Sequence, residues 1–517
     1  MSGEALQHYV CGGWVDGGPD GQPYSDAATG ERLGTTSSVG LDMAAVVDYA
    51  RTVGNPAISS LTFHERGTIL RNIGKLLLDD AVKAPLYELS ALTGATTKDS
   101  WVDIDGGAGV LLTFASKARK ELPNSTVMVD GAYEPLSRDD SFGAVHVRTS
   151  RTGVAVQINA YNFAVWGMLE KFAPSFLAGL PSIVKPAPQT AFLTEAAVRI
   201  IIDSGLLPDG ALQLISGEPG DLLDHLDGQD SVAFTGSATT GAIVRAHPNL
   251  VAKSVHVTTE ADSINSAILA PSASPGTAEF DLFVAEVVSE MTTKAGQKCT
   301  AIRRAFVPEE HLEAASEAVA EALSAVVVGN PADEAVTMGA LVDTAQKQRV
   351  LDAIDELSTA AAVVSTGARI DDLPAGAFVA PTLRVLVVDE TMAKASTGHG
   401  SPLPMLTHGG PGRAGGGEEL GGMRSVFSHM QRTAIQGSPA MLTAIGGEYI
   451  TGTPTTDKGH PFKLNFDELA VSSPANARPS STAAATARLR GTPRSSIKTE
   501  RWLRCTTYSP WSPTPPE

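Results

Sequence analysis

The chain has 517 residues, 39 of them Lys or Arg and 57 Asp or Glu, for a net charge of −18, and 43% are apolar. These proportions belong to a globular protein of two or three domains and exclude a fibrous or wholly disordered chain. The acidic balance argues against nucleic acid as a main partner, no apolar run reaches the ~18 residues that cross a bilayer, and the opening MSGEALQHYVCGGWVDGG has neither the basic nor the apolar region of a secretory leader, so a cytoplasmic protein is expected.

Up to residue 150 the chain reads as scaffold, with FHERGTILRNIGKLLLDDAV an amphipathic helix whose buried face would hold Ile69, Ile73, Leu76 and Leu77. From Thr152 short β-rich runs alternate with helices: GVAVQIN, a helix from Met168, PSIVKPA, a helix over LTEAAVRIIIDSG, ALQLISG, SVAFTGS, a helix from Thr240, then SVHVTT. Single helices between strands are what a parallel α/β sheet requires, so a Rossmann-like nucleotide-binding core is expected there. Past Pro275, FDLFVAEVVSEMTTKAG, EEHLEAASEAVAEALSAVVV and DTAQKQRVLDAIDELST read as helices and AIRRAFV, AAVVSTG and RVLVVD as strands of a second α/β domain. The expected boundaries are a nucleotide-binding domain over 1–257, a thiol-bearing domain over 258–440, a C-terminal extension over 441–471 and a tail over 472–517. That tail carries seven Lys or Arg against Glu500 and Glu517 and has no sustained apolar period, so it is expected to be a disordered basic tail.

Three cysteines, Cys11, Cys299 and Cys505, are too few and too far apart for a disulfide framework or a CxxC metal site, and no metal is expected. Cys299 sits in KAGQKCTAIRR, between a helix and a strand, flanked by Lys294, Lys298, Arg303 and Arg304. Nearby cations favour thiolate, the nucleophilic form, whereas the plain alternative is a small buried apolar residue. Glu260, after SVHVTT, lies where active sites of open α/β sheets gather and can serve as a general base, or can simply be solvated. Asn162, between a strand and a helix, offers an amide to a developing oxyanion, or else a helix N-cap. Lys185 ends the second core strand, where a cation could meet a ribose or 2′-phosphate, and Gly236, Ser237 and Gly241 in FTGSATTG put small residues at a helix start, a place for a pyrophosphate. HGGPGRAGGGEELGG, at 408–422, lacks the GK[ST] ending of a phosphate loop, which excludes that reading.

INAYNFAVWG, IVKPAP, LLPDGALQLISG, VAFTGSATTG, TTEADSIN and KAGQKCTAIRR follow the order and approximate spacing of the aldehyde dehydrogenase superfamily, which the chain resembles over nearly all of residues 1–470. EADSIN, ASTGHGSPLP and MQRTAIQGSP are similar to its PaaZ-like branch, from phenylacetate and related ring-cleavage pathways that handle CoA thioesters. The resemblance implies an α/β fold with a Rossmann-like cofactor domain and a second α/β catalytic domain. It implies Cys299 as nucleophile, Asn162 as oxyanion donor with the Cys299 N–H, and Glu260 as the base for water. Lys185, Ala187, Gly236, Ser237 and Gly241 would hold NADP or NAD, and the substrate would be a small aldehyde, CoA-linked in that branch. A homo-oligomer is implied as well. Where members strict for NAD often have Glu, this chain has Pro188, so with no carboxylate opposing Lys185, NADP is expected to be preferred.

The chain also departs from the family. GAFVAPTL runs directly into RVLVVDETMAKAS, so a segment with a Glu-x-Phe-Gly-Pro element is missing near Leu383 and Arg384. Where PaaZ-like proteins continue into a hydratase domain, a basic tail is expected here instead, and Ala164 stands where relatives usually have Pro. These differences leave a second expectation: a catalytically impaired or dead relative from a disrupted gene, acting, if at all, in binding or assembly.

Overall fold

A sheet of seven strands organises the molecule. The computed structural model describes residues 5–18, 20–262, 265–358, 386–387, 403–406, 414–415 and 421–453, all within a compact unit of residues 1–463. The sheet's strands are β1 (Gln7–Val10), β2 (Gly13–Asp16), β3 (Ala155–Ile158), β4 (Ser182–Lys185), β5 (Leu212–Leu214), β6 (Ser231–Gly236) and β7 (His256–Ala261), in the spatial order β7-β6-β3-β4-β5-β1-β2. β3 to β7 are parallel, and the hairpin β1-β2 closes one edge antiparallel. Both faces of the parallel strands are covered, which is why Val156, Ile183, Val184, Val232 and Phe234 read as unbroken apolar runs. The helices α1 (Trp166–Ala178), α2 (Ala191–Asp203) and α3 (Ala238–Arg245) make the crossovers that the alternating pattern predicts.

From β3 the chain steps outward through β4 and β5, then returns to the other side of β3 with β6 and β7. This reversal creates a crevice at the carboxyl ends of β3 and β6, the place where open α/β sheets bind ligands. The boundary expected at 257/258 falls inside β7, which runs on through Glu260 to Ala261, so Glu260 lies within a strand of the same sheet as the nucleotide-binding strands and does not follow it.

The helix Phe63–Leu77 opens with a capping box between Thr62 and Glu65 and buries Phe63, Arg66, Leu70, Ile73 and Leu77. Ile69 and Leu76, expected on that face, are only partly covered. Ile73 and Leu77 are buried as expected, and Arg66 shares their face, its buried guanidinium donating to the carbonyls of Ile58, Ser59 and Leu177.

A second, three-stranded parallel sheet pairs Ser266–Ile268 with Arg304–Phe306 and with Leu386–Val387. Phe280, Phe283 and Val287 of the helix Ala278–Thr292 pack beside it, together with Ala315 of the helix Leu312–Ser324. Strand Met430–Gly437 pairs antiparallel with Gly143–Ser150 in a third sheet. The predicted strand AAVVSTG, the junction at Leu383 and Arg384, most of the 408–422 glycine-rich stretch, and residues 454–517 with the basic tail lie outside the described residues. Among the described residues no helix is long and apolar enough to cross a membrane.

Candidate active site

Asn162 stands half-buried in the turn that leads from β3 into α1. The first N–H groups of a helix need acceptors, and here Asp103 supplies them, accepting from the backbone N–H of Ala164 (3.1 Å), Val165 (3.0 Å) and Trp166 (2.7 Å). The N-cap role that Asn162 could have filled is therefore taken by a carboxylate from another segment. Burial pushes Asp103 up to about 6, and the three N–H donors together with Lys294 work against that rise.

One turn further along α1, Lys171 is buried in a helix that is otherwise nearly all apolar. Its Nζ donates to Glu170 Oε1 at 2.7 Å and lies 3.7 Å from Glu260 Oε2. Glu260 also accepts from Thr235 Oγ1 at 3.3 Å, the two residues being register partners on β6 and β7. Burial alone would lower Lys171, but the charges of Glu170, Glu260 and Cys299 outweigh it and keep the ammonium protonated.

Cys299 is exposed, in the loop between the short helical turn Thr293–Gly296 and the strand Arg304–Phe306. The Nδ2 of Asn265 donates to the carbonyls of Cys299 (2.9 Å) and Ala301 (3.2 Å), lacing this loop to the chain that leaves β7. Of the four cations flanking Cys299 in sequence, Lys294 is turned inward to Thr93 Oγ1 (2.6 Å), and Lys298 forms a buried pair with Glu290 (2.5 Å). Charge reaches Cys299 from Arg303, as local sequence suggested, and from Lys171, which is 128 residues away in the chain. Arg303 also interacts with Tyr161, the neighbour of Asn162, so the thiol loop and the Asn162 turn border one cation.

On the cofactor side, Lys185 ends β4 and is buried. The expectation that no carboxylate opposes it is corrected by the structure: burial lowers Lys185, and the charge of Glu218, thirty-three residues on, raises it. Ala187 leads into the short helical turn Pro188–Thr190. Gly236 ends β6, and a Cβ at Gly241 would meet Thr259 Cγ2 at 2.8 Å, so only glycine leaves that approach open. Ser237 caps α3 through its Oγ, which accepts from the Thr240 N–H at 3.1 Å, and Asp262 Oδ1 accepts from the Ala238 N–H at 3.1 Å. The α3 terminus thus already has acceptors of its own. Among the described residues, buried polar groups near these strand ends that lack hydrogen-bond partners include both amide atoms of Asn159, just past β3, and Thr259 Oγ1 in β7. A buried ammonium, orphaned polar atoms and a glycine-lined turn at the carboxyl ends of adjacent strands fit a dinucleotide. Among the described residues no cluster of His, Cys, Asp and Glu could hold a metal.

The model of the aldehyde dehydrogenase family matches residues 14–399. The chain belongs to that family. It is 43% identical over 384 residues to the 3,4-dehydroadipyl-CoA semialdehyde dehydrogenase of Aromatoleum evansii, covering 73% of this chain and 74% of that protein, which agrees with the PaaZ-like resemblance. Its fold matches succinate-semialdehyde dehydrogenase from Burkholderia pseudomallei (TM-score 0.70, 21% identity, 84% of this chain and 98% of the other). It also matches a Mycobacterium tuberculosis aldehyde dehydrogenase complexed with NAD+ (TM-score 0.68, 22% identity, 84% and 98%). For an aldehyde dehydrogenase, the residues that sequence reasoning passed over are Lys171, Asp103, Thr235, Asn265 and Glu218. Lys171 left one legible signal, a Glu-Lys pair inside the apolar run WGMLEKFAPSFLA. The others act through contacts across the fold that no local pattern announces.

Proposed function

We propose that this aldehyde dehydrogenase oxidises a CoA-linked semialdehyde to the acid through a covalent thioester on Cys299. The observation that carries the reading is the position of Lys171, whose ammonium is engaged electrostatically with both Cys299 and Glu260 and so links the candidate nucleophile to the candidate base. Cys299 Sγ adds to the aldehyde carbon, and the carbonyl oxygen becomes an oxyanion held by the Asn162 amide and the Cys299 N–H. The oxyanion's electron pair re-forms the carbonyl as hydride leaves, which yields a thioester. NAD(P), when bound, supplies the acceptor for that hydride. Glu260 then removes a proton from water, the resulting hydroxide adds to the thioester, and Cys299 departs as thiolate, releasing the carboxylic acid.

The choice of a CoA-linked substrate rests on the Aromatoleum evansii relative. Lys185, Ala187, Gly236, Ser237 and Gly241 would line the cofactor. Lys185 favours the 2′-phosphate of NADP, and Glu218 limits how strongly NADP is preferred over NAD. In this reading the chain up to the end of β7 binds cofactor, the residues from there to 440 supply the thiol, 441–471 is an extension, and the chain is a cytoplasmic homo-oligomer. Purified protein given an aldehyde and NADP should produce NADPH absorbance, and Cys299→Ala should abolish it while leaving cofactor binding intact. NADPH formation that survives in Cys299→Ala would end the proposal.

A second reading, an impaired relative, draws support from the three-stranded sheet, on which Phe306 is 52% and Ile268 43% exposed. Large apolar side chains at this level of exposure are what lost neighbouring elements would leave behind. Inserting a family-like segment between Leu383 and Arg384 would then raise turnover sharply. Turnover by the unaltered chain within the usual range of roughly 1 to 1000 per second would exclude impairment.

A further inference from the structure

We propose that Asp99 and Asp103 are a pair of positioning residues that set the Cys299 loop against the Asn162 turn. The inference rests on the roles assigned to Cys299 and Asn162 above. The two carboxylates stand four residues apart on the helical segment formed by Thr97–Ser100 and Trp101–Asp105, and both are buried, at 2% and 1% exposure. Asp103 holds the turn that carries Asn162 by three N–H groups, those of residues 164, 165 and 166. Asp99 holds the other partner: its Oδ1 accepts from the backbone N–H of Lys294 at 2.8 Å, while its Oδ2 is fixed by the N–H (3.0 Å) and Oγ1 (2.8 Å) of Thr96.

Lys294 and its neighbour Ala295 both occupy the left-handed region, at φ 53° and 52°, which side chains other than glycine rarely adopt. Such a conformation persists only where its surroundings over-determine it. The Asp99 bond, the Lys294 side chain on Thr93, and the carbonyl of Lys294 accepting from Gln297 Nε2 at 3.0 Å supply that restraint five residues ahead of the thiol. One helical segment therefore grips both halves of the proposed acylation geometry. A misplacement of ~1 Å between reacting groups is enough to cost ~100-fold in rate.

The test compares two probes of Cys299 on the full chain. p-Nitrophenyl acetate acylates a thiol through a tetrahedral oxyanion and so needs both the thiolate and the oxyanion donors, whereas iodoacetamide alkylates by direct displacement and needs the thiolate alone. In Asp99→Asn and in Asp103→Asn, acylation of the Cys299 peptide should slow about 10- to 100-fold while alkylation changes less than about threefold. In Asp99→Asn, adding Ala295→Gly should recover much of the acylation rate, because glycine adopts the left-handed conformation without restraint. Acylation and alkylation falling together, neither changing, or no recovery with Ala295→Gly would overturn the pairing. Should Asp103→Asn fail to fold, the Asp99 single and double variants decide alone. Wild-type protein acylated somewhere other than Cys299 would instead sink the nucleophile assignment, and the pairing with it.

Discussion

The ammonium of Lys171 lies 3.7 Å from Oε2 of Glu260. That distance joins a helix behind the sheet to the end of its last strand, and Glu170 holds the same ammonium from the other side at 2.7 Å. Removing the cation while keeping the volume, as in Lys171→Met, leaves two carboxylates without their partner next to the thiol. Because Glu170 and Glu260 stay partly exposed and keep Trp166 and Thr235 as donors, the variant should lose roughly 1–3 kcal/mol of stability, and turnover should drop as well. A melting temperature within a degree of wild type, measured by calorimetry, would show that the pair contributes little.

Cys299 and Cys11 offer an internal comparison of two exposed thiols. Burial and Asp42 push the Cys11 thiol up, so less of it is thiolate at neutral pH, whereas Cys299 shares the charges of Lys171 and Arg303. Iodoacetamide should therefore label Cys299 first. Peptide mapping after a short pulse that finds both equally alkylated would count against an activated thiol. In Glu260→Gln, a single turnover of cofactor reduction should still occur and acyl-enzyme should accumulate, because the water step comes second. If that first turnover is lost, Glu260 acts earlier than deacylation.

Cofactor choice should respond in opposite senses to the charges of Lys185, at the end of β4, and Glu218, past the end of β5. Glu218→Gln should tighten NADP relative to NAD by about tenfold, and Lys185→Ala should weaken it by a similar factor, as expected for one charge acting on a phosphate. Fluorescence titration reads both constants. Equal shifts for NAD and NADP in both variants would place the adenosine ribose elsewhere.

Acid should destabilise the fold through His429. This ring is buried with Nδ1 on Ser231 Oγ at 3.0 Å, and burial, helped by His256 and Arg151, lowers it to about 3. The folded protein then stays neutral there while the unfolded chain takes a proton at about 6.5, so the unfolded state binds more protons between those values. Stability is complete above pH ~6.5 and falls by up to about 1.4 kcal/mol per unit below it. Asp103, raised to about 6, acts in the opposite sense between its folded value and its ordinary one, so the His429 share is isolated by comparison with His429→Gln. Parallel curves of melting temperature against pH for the two proteins would exclude this origin.

The alternation of apolar runs and helices from Thr152 onward was enough to specify the parallel core, because strands buried on both faces must be apolar throughout and each crossover must carry one helix. The ordered motifs around Asn162, Lys185, Gly236, Glu260 and Cys299 were enough to point to the family, since a turn, a strand end and a loop are local features of the chain. What surrounds those residues was not. Lys294 and Lys298 look in sequence like activators of Cys299, yet folding turns them toward Thr93 and Glu290. The charges that do reach the thiol include one from Lys171, and the charge opposing Lys185 comes from Glu218 and not from position 188. Electrostatic interactions and hydrogen bonds act through space, and the distance between two groups far apart in the chain is set by how strands and helices pack. Residue type at the strand ends was therefore decided by the sequence alone, while the partners that orient and charge those residues were decided by the tertiary structure.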